Sequence, residues 1–187
     1  MTQPQKFQFK LFIENPEALS QEAVIPVFHD FIREKALPEL LIDVADYRHV
    51  HEGPGVVLIG HGYDLYVDEM DGRPGLLFSR KREATGSVEE ILRRSLAIAL
   101  AAASLLEERL PIRFATNEVL FRAIDRLHTP NDDTTHEKLD PIVRKVLAEL
   151  GTVKGVKRVG DPRAPYSLAV ELEGAPKVKD ASSKIAA

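Results

Sequence analysis

The sequence predicts an α+β fold: a mainly antiparallel sheet with helices packed on one face, in a single compact domain over residues 1–173, followed by a flexible tail over 174–187. Three observations carry this expectation. Apolar residues alternate with polar ones in several short stretches, single helical stretches separate these runs, and no Pro/Gly/Ser-rich linker divides the 187 residues. A chain of this length buries a core without disulfides or a structural metal.

The first stretch, "KFQFKLFIE", places Phe7, Phe9, Leu11 and Ile13 at period two, the signature of a half-buried strand. Asn15-Pro16 ends it. Ser20 is then a helix cap, with Val24, Val27, Phe28, Phe31 and Ile32 on one helical face, Pro26 as a bend or a delayed start, and Leu37-Pro38 as the stop. Residues 40–47, 55–69 and 75–83 read as three strands, and Asp71-Gly72 with Arg73-Pro74-Gly75 makes the last two a hairpin. Gly60 and Gly62 predict a bulge or bend near His61 within one long strand. Residues 87–110 give the clearest helix, from a Ser87 cap with Glu89 and Glu90 in the first turn. Residues 112–127 fit either two strands turning at Thr116-Asn117 or a helix, with strands favoured. A polar loop, a helix over 137–150 stopped by Gly151, and strands near 153–159 and 166–173 complete the domain. The final "GAPKVKDASSKIAA" has no apolar period and reads as a free tail.

Composition bounds the function. The 25 basic and 29 acidic side chains leave a net charge of −4, without the basic excess that nucleic-acid binding uses. The absence of cysteine excludes disulfide frameworks, iron–sulfur clusters and thiol catalysis, so any metal would rest on His, Asp and Glu. No apolar run is long enough for a membrane span, and "MTQPQKFQFK" lacks the pattern of a signal peptide, so a cytoplasmic location is expected.

The stretch "RHVHEGPGVVLIGHG" draws attention first, because it holds three of the six histidines. His49 and His51 lie two apart on an extended chain, and His61 could approach from the neighbouring strand. Together they are candidates for a divalent transition metal, with Asp46, Glu52, Asp64 or Asp68 completing the shell, or for a small-ligand site with Tyr63 and Asp64. No metalloenzyme spacing such as H-E-x-x-H supports the metal. The glycines match no phosphate-loop pattern, since a strand and not a helix follows them, and they read as turn residues.

Arg73, Arg80, Lys81 and Arg82 form a basic hairpin end, with Arg93 and Arg94 on the helix that follows; folded together they would bind an anion or an acidic partner. Asp43 among apolar neighbours is a candidate buried carboxylate. Ser79 and Ser95 lack a nucleophile-elbow context, and "PNDD" lacks the calcium-loop pattern. With no catalytic spacing evident, the sequence points to a non-catalytic cytoplasmic binding protein, an accessory subunit with protein partners, and leaves a homo-oligomer open through the small-residue stripe of the long helix. The alternative is a metal- or ligand-dependent enzyme or sensor built on the histidine cluster.

Overall fold

The computed structural model describes residues 4–81 and 84–186. Eight antiparallel strands form one sheet: β1 (Phe7–Phe12), β2 (Leu41–Tyr47), β3 (Gly55–Gly60), β4 (Tyr63–Asp68), β5 (Gly75–Arg80), β6 (Glu118–Ala123), β7 (Thr152–Val159) and β8 (Tyr166–Glu173). Their spatial order is β2-β3-β4-β5-β1-β6-β8-β7, so β1 is the central strand of a β2–β5 meander on one side and a β6–β8 group on the other. Four helices, α1 (Gln21–Glu34), α2 (Val88–Arg109), α3 (Asp133–Leu147) and α4 (Val178–Ala186), complete the α+β fold.

Period two explains which face is covered. Phe9 lies between Phe78 of β5 and Phe121 of β6, and this row belongs to one apolar core with Leu92, Leu96, Ala99 and Ala103 of α2. Phe9 and Phe121 stack with ring centroids 5.5 Å apart. Helix α2 lies close to the sheet because small residues line its inner side, and its start is fixed by a capping box between Ser87 and Glu90. In α1 the Ser20 cap forms as expected, and Pro26 sits inside an unbroken helix, where it forfeits only the amide that would have bonded the carbonyl of Glu22.

Three expectations are corrected. Residues 55–69 are not one bent strand: His61-Gly62 is a two-residue connection between β3 and β4, so the glycines mark a hairpin. Residues 112–127 contain one strand, β6, because the segment before it makes only an isolated bridge between Ile13 and Phe114. The residues expected to be a free tail form α4, which buries Val178, Ala181 and Ile185 against α2; these three positions, three and four apart, make a narrow helical stripe.

Among the described residues the opposite face of the sheet carries no α-helix but holds a buried ion cluster. Lys10 points away from the α2 side, crosses β5 above Gly75, and places its ammonium 2.7 Å from Asp68, both side chains fully buried. Gly75 is required, since a Cβ there would sit 2.8 Å from Lys10 Cε and 2.6 Å from the Leu11 carbonyl. Lys10 also donates to the Met70 carbonyl and lies 3.3 Å from Asp71, which is in turn paired with Arg122, while Arg73 forks onto Glu118. The 69–74 loop is thereby stapled across β1 and β6. Beside it, an open cleft of about 780 Å³ runs over Phe12, Leu77, Leu120, Arg122 and Ala169.

Asp68 is expected to make stability pH-dependent. Its carboxylate oxygens receive no well-aligned hydrogen bond, and burial raises its pKa to about 6 against the pull of Lys10. Because the folded pKa lies above the ordinary value of 3.8, protonation of Asp68 stabilises the fold fully below about pH 4, and this contribution disappears as pH rises through 6. A shift of this size corresponds to roughly 3 kcal/mol. Urea unfolding from pH 4 to 7 should show the Asp68→Asn variant lacking this slope; parallel curves for the two proteins would refute the assignment.

Candidate functional site

The candidate site is a cleft at the end of the helical layer, where the α1–β2 loop, the β3–β4 turn, the end of β5, α2 and α4 meet. Its volume is about 690 Å³, and its lining includes Pro38, Glu39, Arg80, Arg94, Ile98 and Ile185.

Arg80 is the anchor. It closes the row Leu76, Phe78, Arg80 on the helix-facing side of β5, and only 5% of its side chain is exposed. Its guanidinium centre lies 5.5 Å from the Tyr63 ring centroid and 5.6 Å from that of Phe78, so the two rings flank a buried cation. Tyr63 occupies the register position opposite Arg80 on β4, and its ring stacks 5.0 Å from Phe78. The Tyr63 hydroxyl donates to the Pro38 carbonyl at 2.6 Å; burial, then the nearby Glu39 charge, pushes this phenol far above its ordinary pKa.

The carboxylate facing Arg80 comes from Glu39, whose Oε1 accepts from Nη1 at 2.7 Å. The Glu39 side chain is 36% exposed, and its backbone has φ 69°, a left-handed conformation unusual for a residue with a Cβ. Gly62 makes room for the pair, because a Cβ there would overlap the Glu39 carboxylate. His61 lies in the same turn, its amide donating to the Leu40 carbonyl at 2.8 Å. Arg80 Nε has no hydrogen-bond partner among the described residues.

Arg93 and Arg94 line the same cleft from α2. They are not equivalent. Arg93 is forked onto Glu149 at 2.5 and 2.9 Å and also reaches Glu89 at 3.0 Å, which ties α2 to the end of α3. Arg94, exposed on α2, lines the cleft and donates through Nη2 to the Thr85 carbonyl.

The structure separates most of the other candidates. His49 and His51 are exposed in the turn after β2, with the His51 side chain 95% exposed and its ring 4.0 Å from Glu52. His61 lies at the far end of β3, roughly 20 Å away at the rise of a strand. The three histidines therefore do not converge, and among the described residues no group of three His, Asp or Glu is placed to hold a metal. The turn bearing His49 and His51 covers a cavity of about 40 Å³, nearer a water than a phosphate. Gly55 at its end has φ 63° and meets the Val67 carbonyl, which accounts for that glycine structurally. Asp46 is held down at about 2 by the Arg48 guanidinium, an exposed pair at the end of β2.

Asp64 lies on the uncovered face, away from the Arg80 cleft, and holds Lys81 at 2.6 Å and the Gly60 amide at 3.1 Å. Burial, then Asp64, pushes the neighbouring Tyr66 phenol up to about 12. Asp43 is exposed on the edge strand, at a bulge, with its carboxylate capping the Val44 amide, so the buried-carboxylate reading fails. The expected basic patch divides. Arg73 lies at the opposite end of β5 on Glu118, Lys81 is neutralised by Asp64, and Arg82 falls outside the described residues. Glu39 and Ile185 were missed: a lone glutamate after Leu37-Pro38 and an isoleucine in a small-residue segment carry no local signal. A comparison with protein-family models and with curated proteins returns no match.

Proposed function

We propose that this protein is a non-catalytic binding protein acting in the cytoplasm as an accessory subunit, and that the Arg80 cleft is its ligand site. The observation that carries the reading is a buried guanidinium, flanked by two aromatic rings, that lines a cleft and is met by Glu39 at one nitrogen alone. Such groups hold and orient a ligand. Edge strand β2 supports a protein partner. Leu40, Ile42, Tyr47 and Val50 are exposed along or beside it, whereas the other edge, β7, is guarded by Lys154, Lys157 and Arg158. A partner strand pairing with β2 would cover these residues. Pro38 and Glu39 in the cleft run directly into Leu40 and Ile42 on the edge, so ligand and partner would sense one another through four consecutive or near-consecutive residues.

Native mass spectrometry of the protein purified from its own cells tests this reading. A defined protein complex that dissociates in an Ile42→Lys variant is expected. A monomer in both proteins at micromolar concentration, with no small molecule released on denaturation, would contradict it.

A further inference from the structure

We propose that the ligand of the Arg80 cleft is a small amphipathic carboxylate, held by Arg80 and Arg94 in the place now taken by Glu39, with its apolar body against α2 and α4. The inference rests on the reading of this cleft as a binding site and adds the chemistry of the ligand.

Four observations converge. A guanidinium has five N–H donors in a planar fork; Arg80 spends Nη1 on Glu39, and Nε is buried without a partner. A carboxylate entering from the cleft at the end of the guanidinium meets Nη1 and Nη2 together, a fork that Glu39 fills only through Nη1. Glu39 already shows that a carboxylate reaches the end of this guanidinium. Its single-point contact, partial exposure and left-handed backbone make it a displaceable stand-in, whereas the forked Arg93–Glu149 pair beside it is not.

Arg94 supplies the second charge. Its neighbours one turn along α2, Ala97 and Ile98, lie at i+3 and i+4 and so continue the same helix face away from the cation. Ile185 of α4 and Pro38 close the other sides of this apolar part. A charged head with an apolar tail of several carbons matches that order: cations at the strand end, aliphatic walls along the helices.

Calorimetric titration of the full chain with octanoate, octanol, octyl phosphate and acetate tests the proposal. Octanoate is expected to bind one site at least tenfold more tightly than either octanol or acetate, and more tightly than octyl phosphate. Arg80→Met should lower octanoate affinity at least tenfold and leave octanol unchanged. Glu39→Gln, whose amide oxygen can still accept from Arg80 and whose folding is checked by urea unfolding, should raise octanoate affinity three- to tenfold by removing the competing charge. Equal binding of octanoate and octanol, insensitive to Glu39→Gln, would overturn the carboxylate assignment while leaving an apolar binding cleft. A tighter octyl phosphate would replace carboxylate by phosphate. No saturable octanoate binding at millimolar concentration would overturn the proposal.

Discussion

Replacing Lys10 with Met should destabilise the protein by about 3–5 kcal/mol at pH 8, the range seen when one partner of a buried ion pair is removed. The reason is what remains. Asp68 is fully buried on the uncovered face, with no well-aligned hydrogen bond to its oxygens, and Lys10 is the cation in contact with it. Without the ammonium, the carboxylate must either stay ionised in a medium that does not solvate it or take up a proton, at growing cost as pH rises. The loss should therefore shrink between pH 8 and pH 5. Lys10→Met also frees the 69–74 loop from the Met70 carbonyl and Asp71, leaving the Arg122–Asp71 and Arg73–Glu118 pairs to hold it.

The double variant Lys10→Met/Asp68→Leu separates charge from packing. Buried ion pairs exchanged for apolar groups of similar volume are often neutral or stabilising. Most of the lost stability should return, measured as the urea midpoint by circular dichroism. A single variant within about 1 kcal/mol of the parent, or a double variant worse than the single, would contradict the description of the pair.

Ending the chain after Gly174 should cost about 3 kcal/mol. Val178, Ala181 and Ile185 are 1%, 0% and 5% exposed against α2, and their transfer to water is worth more than this before the freedom regained by the released helix is counted. The ion pair between Lys179 and Glu108, at 3.6 Å on the surface, contributes little. Thermal unfolding of the truncated chain should show a melting temperature several degrees lower. An unchanged melting temperature would restore the free tail that composition alone suggests. Because Ile185 also lines the Arg80 cleft, truncation should weaken octanoate binding even at temperatures where the shortened chain is folded.

What could be read in the sequence was local. Alternation of Phe7, Phe9 and Leu11 marks β1 because one sheet face is packed by helices, and the Ser87 cap with Glu90 marks the start of α2 because both satisfy the same helix end. The hairpin at His61-Gly62 was harder, since Gly60 and Gly62 suit a bulge as well as a turn; only the pairing of Leu58 with Leu65 decides between them. Helix α4 hides because three apolar residues among small polar ones are too few to show a period, yet enough to dock once α2 provides a face.

The site was legible only in part. Arg80, Arg93, Arg94 and Tyr63 attract attention by type, and the antiparallel β4–β5 register brings Tyr63 opposite Arg80. Glu39 could not be seen, because its role depends on a loop that places it over β5 from 41 positions away in sequence. The histidines misled for the converse reason: nearness in sequence across a single strand means opposite ends of that strand in space. Lys10 and Asp68 were invisible as a pair, since polar residues in an alternating strand ordinarily face solvent.

The central claim is that the Arg80 cleft receives a ligand. Methyl NMR of the isoleucine-labelled protein tests it most directly, because Ile98 and Ile185 both line that cleft while Ile59 and Ile124 lie elsewhere. On titration with octanoate the Ile98 and Ile185 methyl resonances should move together with one dissociation constant, and those of Ile59 and Ile124 should stay in place. Shifts confined to Ile124, which borders the cleft on the opposite sheet face, or no saturable shift at either Ile98 or Ile185, would contradict the account.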